Sequence, residues 1–353
     1  MKKLISFLTA LTLILGLTAC GAPAAGYAGD TVIFTDDRGR EVEIPAEISR
    51  IVPTGPVAQA ILYTIAPDLL VGLAARWSAT AEGVVPQAYL DLPYFGQLYN
   101  TANLNVEELA LAAPQLIVDV GQAMSTGSED LDTLSAQTGI PAVYVSASLE
   151  TMPQTFRTLG RLLNREEKAE KMAQVCERVY DRTISIMEQV GANKVDALYV
   201  LGESGLNVLA NGSYHAQLMD LLTNNIAVVD APSSKGSGNE VTLEQIALWD
   251  PALILFAPDA NYDTAPVTDT WKELTAVSTG NYLKVPESPY NWVGTPAAVQ
   301  RCLGMIWLTA QLYPAYCDYD PKAEILEFYE LFYGCALTEE QYRELTKDAV
   351  LKK

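Results

Sequence analysis

The run Arg165–Val190, REEKAEKMAQVCERVYDRTISIMEQV, decides the fold of this chain. Apolar side chains recur in it every three or four residues, which is the spacing of one face of an α-helix. They are Ala169, Met172, Cys176, Val179, Met187 and Val190, with Thr183 in the one gap. Most other positions are charged, Asn164 is a candidate cap and Gly191 a plausible stop. The run therefore predicts one long helix with a single buried face.

A similar pattern stands on both sides of this helix. Upstream the chain reads NVEELALAAPQLIV from Asn105, and downstream it reads TLEQIALWDPALIL from Thr242. Each copy has a capping residue, a Glu two positions later, a short apolar helix, a Pro and a run typical of a buried strand. Short strands alternate with helices in both halves, and Ile226–Val229 is one such predicted strand. The pattern predicts an α/β protein of two doubly wound, Rossmann-like lobes joined by the long helix.

These features divide the chain into six expected segments. They are a signal peptide (1–20), a flexible tether (21–30), a first α/β lobe (31–164), the connecting helix (165–190), a second α/β lobe (191–320) and C-terminal helices (321–353).

The first segment has the order of a processing signal. Lys2 and Lys3 precede an apolar core that is too short to span a bilayer comfortably. The segment ends Leu17-Thr-Ala-Cys20, which resembles the bacterial lipobox. We therefore expect Cys20 to carry lipid and to hold the protein on the extracytoplasmic side of the cell membrane. The alternative is an ordinary signal peptide in which this Cys is incidental.

The net charge of the chain limits the kinds of molecule that it can bind. The formal net charge is −20 at pH 7, which argues against binding to nucleic acid or adsorption to an anionic membrane surface.

An exported chain can form disulfides, and Cys317 and Cys335 could pair across a short helical segment. Cys176 lies on the apolar face of the long helix, and the sequence does not choose among the pairings.

The sequence lacks the usual signatures of catalysis. It has a single histidine, His215, and no zinc-like cysteine spacing, nucleophile elbow, phosphate-binding loop or dinucleotide-binding turn. We therefore predict no catalytic residue, no resident metal and no cofactor. A binding protein that acts as a monomer is expected rather than an enzyme.

Ligands of open parallel sheets sit beyond the carboxyl ends of the strands. Two facing lobes would place those loops around one cleft, whose aromatic and polar side chains suit a medium-sized organic ligand or chelate. The candidate ligand-binding residues are Thr54, Arg76, Trp77, Tyr94, Tyr99, Gln122, Ser213, Tyr214, His215, Lys235, Tyr290, Asn291 and Trp292. The alternative for any of the aromatics is a place in the core or in an exposed loop.

Taken together, the chain resembles the cluster A (class III) substrate-binding lipoproteins of ABC importers. The resemblance covers about Thr31 to Tyr333 and rests on the lipobox, the opening Asp37-Arg-Gly-Arg…Ile44-Pro, the two Glu…Pro-x-Leu-Ile repeats and the single long helix. It implies two lobes with limited hinge closure, a small-molecule ligand, and partnership with a membrane permease and its ATPase. By motif position, Glu107 and Glu244 match the glutamates that dock on the permease, although both also suit the first turn of a capped helix.

The family takes up iron-siderophores, haem, cobalamin and, in some members, molybdate or tungstate. Among these we favour an iron-siderophore or similar metal chelate. Two other classes of function stay open on the sequence. One is a surface receptor that hands its ligand to a sensor or enzyme, and the other is a lipid-anchored enzyme on the same fold.

Overall fold

The computed structural model describes residues 29–99, 103–124 and 126–351. The predicted signal peptide (1–20) and the lipidation site Cys20 lie outside these residues. Among the described residues, none of the helices combines the length and apolar character that a membrane-spanning segment requires.

The first lobe begins with an antiparallel hairpin and continues as a three-stranded parallel sheet of order β3–β4–β5. Its strands are β1 (Thr31–Thr35), β2 (Glu41–Pro45), β3 (Ile51–Pro53), β4 (Leu116–Gly121) and β5 (Ala142–Ser146). Its helices are α1 (Pro56–Ile65), α2 (Gln87–Leu90), α3 (Val106–Leu111), α4 (Gly127–Thr138) and α5 (Met152–Leu163). Strands β3 and β4 are buried along their whole length, which accounts for their mostly apolar sequences.

The second lobe has a mixed sheet, in which β11, β10 and β6 are parallel neighbours and β7 and β9 run antiparallel. Its strands are β6 (Asp196–Leu201), β7 (Asn207–Val208), β8 (Asn224–Asn225), β9 (Asn239–Glu240), β10 (Leu253–Phe256) and β11 (Tyr282–Lys284). Its helices are α7 (Gln217–Leu222), α8 (Leu243–Trp249), α9 (Thr275–Ser278) and α10 (Arg301–Leu312). The prediction of two α/β lobes is thus confirmed, and the second sheet has antiparallel strands added at one edge.

The prediction of a strand at Ile226–Val229 is wrong. Strand β8 pairs with only Asp196 and Ala197 of β6, and it ends at Asn225. Further along β6, Val200 and Leu201 pair with β7 instead. The antiparallel β7 therefore occupies the rest of this edge and leaves no partner for a longer β8.

The long helix α6 (Glu166–Val190) connects the lobes. Every residue of the predicted stripe is buried, Thr183 included. The helix packs along α5 of the first lobe and α10 of the second. Asn164 does not cap it: this residue adopts a left-handed conformation (φ 54°) at the end of α5, because the chain must turn sharply between two antiparallel helices.

The C-terminal segment packs across the connecting helix. It contains α11 (Pro321–Phe328), a π-helical turn (Tyr329–Tyr333) and α12 (Glu339–Thr346). Arg182 of α6 makes two hydrogen bonds to the Glu324 carboxylate, at 2.5 and 2.6 Å, and both side chains are mostly buried. A bidentate, partly desolvated pair of this kind fixes geometry better than an exposed ion pair.

The four cysteines among the described residues are all unpaired, so Cys317 and Cys335 are not joined by a disulfide in this structure. Cys176 is buried on the long helix, as its place in the apolar stripe indicates. Its sulfur lies 3.6 Å from that of Cys302 on α10, inside the contact between the connecting helix and the second lobe.

The close contact between α5 and α6 leads to a testable prediction. A Cβ atom on Gly160 of α5 would lie 2.5 Å from the Ala169 Cβ of α6. Alanine is normally the better helix former by about 1 kcal/mol, but overpacking a tight contact costs about 1–3 kcal/mol. We expect Gly160→Ala to lower the free energy of unfolding, measured by urea denaturation, and Ala169→Gly in the same chain to restore part of the loss. A Gly160→Ala variant as stable as the wild type would contradict this packing.

Candidate ligand-binding cleft

The carboxyl ends of the strands in both lobes open onto two neighbouring cavities. The first-lobe cavity has a volume of about 80 Å³ and lies beyond β3 and β4. The second-lobe cavity has a volume of about 590 Å³ and lies beyond β6 and β10. Gly236 lines the larger cavity beside His215, which lines the smaller one, so the two cavities meet at this loop. This is the place where parallel α/β sheets bind ligands.

Asp119 is the charged group of the first-lobe cavity. It sits within the buried strand β4 and accepts a hydrogen bond from the hydroxyl group of Thr54, at the end of β3. Burial raises the pKa of Asp119 to about 6, although Thr54, Arg38 and Arg40 act in the opposite direction. The Tyr99 hydroxyl is buried nearby and lowers this pKa slightly, but it lacks the geometry of a full hydrogen bond. Asp119 therefore titrates close to neutral pH.

His215 lies on the second-lobe side of the same cavity. Its Nδ1 atom is 2.6 Å from the carbonyl oxygen of Gly294. Because a carbonyl oxygen can only accept a hydrogen bond, Nδ1 carries the proton and donates it. Burial lowers the pKa of His215, so the ring is neutral at pH 7. The ring thus supplies a polar atom to the cavity without supplying a charge.

The second-lobe cavity is lined by two carboxylates, those of Asp259 and Glu287. Burial raises the pKa of Glu287, and the nearby Asp259 raises it further, while Lys284 opposes both effects. Asn291 is buried at the cavity wall and donates a hydrogen bond of 2.7 Å to the Tyr199 hydroxyl. Among the described residues, no Lys or Arg lines either cavity. The internal positions outside the description, 100–102 and 125, carry no charge in the sequence.

A third cavity, of about 630 Å³, adjoins the second-lobe cavity at Pro258 and Glu287. It lies between α12, the segment after β11 and the loop around Glu82 of the first lobe. Lys284 and Lys347 are on its wall, together with several acidic residues. The C-terminal helix α12 therefore bounds the open space that begins at the cleft.

Two tyrosines cross from the second lobe into the first. The Tyr214 hydroxyl donates a hydrogen bond of 2.8 Å to the carbonyl oxygen of Ala147, just beyond β5. The Tyr290 hydroxyl accepts one of 3.0 Å from Gln59 of α1, and its ring lies 5.2 Å from that of Trp77. Both tyrosines are buried, so these contacts fix the lobes relative to each other in this state.

The thirteen predicted ligand residues fall into separate places. Thr54, Tyr99, Gln122, Tyr214 and His215 line the first-lobe cavity, and Asn291 lines the second-lobe cavity. Their role in ligand binding remains a prediction. The structure brings these six together around one cleft.

Three of the others form a different pocket. Arg76, Trp77 and Tyr94 line a pocket of about 280 Å³ on the first lobe. The Arg76 guanidinium group stacks on the Tyr94 ring at 4.9 Å, and the Trp77 indole donates a hydrogen bond to the Tyr89 carbonyl oxygen. Arg76 therefore does not contribute its charge to the walls of either cleft cavity.

The remaining four have structural positions outside the two cavities. Ser213 caps the turn Tyr214–Ala216, and Lys235 is exposed on its loop. Trp292 is fully buried with its ring 6.2 Å from that of Trp307, and Tyr290 is in the contact between the lobes. An aromatic run predicts burial but does not say whether a ligand or another side chain covers it.

The sequence-based prediction omitted Asp119, Asp259 and Glu287. Asp119 could have been found from the sequence, because it is the one charged residue in the buried run Leu116–Gly121. Asp259 and Glu287 could not, since they lie in loops of an acidic chain where carboxylates are common. The described residues contain no group of three or more His, Cys, Asp or Glu side chains arranged to hold a metal ion.

The two predicted docking glutamates occupy equivalent positions in the two lobes. Glu107 is on the first turn of α3, and Glu244 is on the first turn of α8. Both side chains are exposed, and each helix precedes the middle parallel strand of its sheet.

Several proteins of known structure have a fold similar to that of this chain. A solute-binding protein of an ABC transporter from Sulfurospirillum deleyianum matches with a TM-score of 0.81 at 27% identity, covering 89% of this chain and 99% of that one. A periplasmic solute-binding protein from Veillonella parvula matches with a TM-score of 0.75 at 24% identity, covering 91% and 98%. The molybdate periplasmic binding protein MolA from Haemophilus influenzae, bound to molybdate, matches with a TM-score of 0.69 at 19% identity, covering 87% and 99%. At identities below 25%, the last two show the fold alone.

A search of curated protein sequences finds no match. The model of one protein family, described as periplasmic binding protein, matches residues 67–289, which is well over half of the chain. With the connecting helix and parts of both lobes inside that match, this chain belongs to the periplasmic binding protein family, whose members serve as solute-binding proteins of ABC transporters.

Proposed function

We propose that this protein is the lipid-anchored binding component of an ABC importer, and that its ligand is a metal chelate of neutral or positive charge, such as a ferric hydroxamate siderophore. It holds the chelate between the lobes and delivers it to a permease and its ATPase. The observation that carries the proposal is the second-lobe cavity, with its volume of about 590 Å³ and its two carboxylates.

The volume supports an organic chelate over a bare ion. Cavities that hold small organic molecules are typically about 300–1,000 Å³. The second-lobe cavity is in that range, and the first-lobe cavity of about 80 Å³ lies next to it.

The charge supports a neutral or cationic chelate. Three hydroxamate groups balance the charge of a ferric ion, whereas three catecholate groups leave a trianion. Asp119, Asp259 and Glu287 would repel a trianion, and the described cleft walls offer it no Lys or Arg. Asn291, His215 and Thr54 supply polar atoms that could contact hydroxamate oxygens or peptide groups.

A second candidate ligand is an oxyanion, because MolA is bound to molybdate and shares this fold. That ligand would need to draw Lys235 or Arg76 into the cleft from their present outward positions. We propose binding without catalysis in either case, in keeping with the family.

The ligand class can be tested with the purified protein by calorimetry and thermal shift. The panel contains an amine-bearing ferric trihydroxamate, a neutral ferric trihydroxamate, a ferric tricatecholate, haem, cobalamin and molybdate. A ligand at about a thousand times its dissociation constant adds roughly 4 kcal/mol to stability. We expect a clear shift with the hydroxamates and a smaller shift or none with the tricatecholate and molybdate. Tighter binding of either anion would contradict the proposal.

Matched variants locate the charge effect. Asp259→Asn combined with Glu287→Gln should weaken the amine-bearing chelate by about tenfold, since each removes an attractive charge. The neutral chelate should lose much less. Asp263→Asn, an exposed position on the same loop, is the control and should leave both affinities unchanged.

Asp119 predicts a pH dependence. With its pKa at about 6, the carboxyl group is ionised at pH 7.5 and mostly protonated at pH 5. A cationic ligand favours the ionised form, so its affinity should fall several-fold as the pH drops through about 6. Asp119→Asn should remove this dependence while Asp263→Asn keeps it. An unchanged pH profile in the Asp119 variant would assign the titration to another group.

The lipid anchor is tested independently. Cys20→Ser should abolish incorporation of radiolabelled fatty acid and release the protein from the membrane fraction, because the thiol is the site of attachment. Retention of label in the variant would show that Cys20 is not the modified residue.

A further inference from the structure

Two leucines stand out on the surface of the described residues. Leu111 is 85% exposed and Leu248 is 79% exposed, more than any other large hydrophobic side chain there. Single exposed leucines are common and need no explanation. What distinguishes this pair is where its members lie.

Each leucine occupies the same place in the internal repeat. Leu111 comes four residues after Glu107 on α3, and Leu248 comes four residues after Glu244 on α8. Residues four apart lie on the same face of a helix, one turn from each other. We call Glu107 with Leu111 the first docking pair and Glu244 with Leu248 the second docking pair.

The two helices are also held alike. Asn105 and Thr242 each accept a hydrogen bond from the backbone three residues later, at 3.1 and 3.2 Å. Between the members of each pair, Leu109 and Ile246 are buried as anchors. With the same cap and the same anchor, each helix presents its glutamate and leucine outward in the same orientation.

The lobes are otherwise different at their surfaces and in their sheets. The second sheet has the antiparallel strands β7 and β9, which the first sheet lacks in its described part. The glutamate and leucine are nevertheless arranged alike in both lobes. A two-fold symmetric partner requires such an arrangement, because each of its identical halves must meet the same surface. Among the described residues, neither Glu107 nor Glu244 forms an ion pair, so both charges are available to a partner.

We infer that the two docking pairs are equivalent contact points for a permease dimer, each half of which offers a cationic side chain beside an apolar socket. The inference rests on the proposed importer function and adds the leucines and the sockets to it. The glutamates supply charge complementarity and direct the approach, while the leucines supply apolar area that is buried only in the complex.

The test is binding of the purified protein to its permease–ATPase complex in nanodiscs, without nucleotide. Leu111→Gln combined with Leu248→Gln keeps helix propensity and removes the apolar surface. We expect the dissociation constant to rise by about tenfold or more, with each single variant giving part of the effect. Val267→Gln is the matched control, because Val267 is 77% exposed elsewhere on the second lobe. The thermal midpoint and the ferric trihydroxamate affinity should stay as in the wild type.

The outcomes separate this inference from the proposed function. If the leucine double variant binds like the wild type while Glu107→Ala with Glu244→Ala binds weakly, docking stands and the role of the leucines is overturned. If Val267→Gln weakens binding as much as the leucine variant, the effect is general surface adhesion and the inference fails. If neither the leucine nor the glutamate variant changes binding, the docking proposal itself fails with it.

Discussion

The buried stripe of α6 is shared by both lobes, and the rest of the molecule is arranged around it. One end of the helix is packed against α5 and Gly160, and α10 covers it from the second lobe. Met172 and Val179 are buried on the helix that both lobes contact, so a large displacement of either lobe would expose apolar surface of this helix. The ion pair between Arg182 and Glu324 adds the C-terminal segment to the same helix. We therefore expect the lobes to open and close only by small displacements about this helix.

The contacts between the lobes determine which parts of the cleft stay open. The contacts of Tyr214 with Ala147 and of Tyr290 with Gln59 join the two lobes beside the cleft. These contacts occupy the hydroxyl groups of both tyrosines, and the open space of the second-lobe cavity lies beside Asp259 and Glu287. Glu287 is partly buried, and no cation lines this cavity among the described residues, so its charged form is costly to keep. A positively charged ligand would offset that cost on binding.

The internal repeat serves both the fold and the surface. Its buried half, which includes Leu109 and Ile246, seats each helix on its sheet. Its exposed half places a glutamate and a leucine at matching sites on both lobes. One sequence pattern thus accounts for the similarity of the cores and for the similarity of the surfaces that we propose meet a symmetric partner.

The sequence by itself determined the elements whose signal is local. The period of the stripe fixed α6, and the repeated Glu…Pro-x-Leu-Ile run fixed a helix and a buried strand in each lobe, because helix and strand periods are properties of neighbouring residues. The ligand-facing residues depended on tertiary structure. Tyr99 and Trp292 are alike in sequence context, yet one lines a cavity and the other is covered by Trp307, more than a dozen residues away. The extent of β8 was decided by β7 taking the edge of β6. Which side chains remain open to a ligand is set by what packs over them, and residues distant in the chain supply that covering.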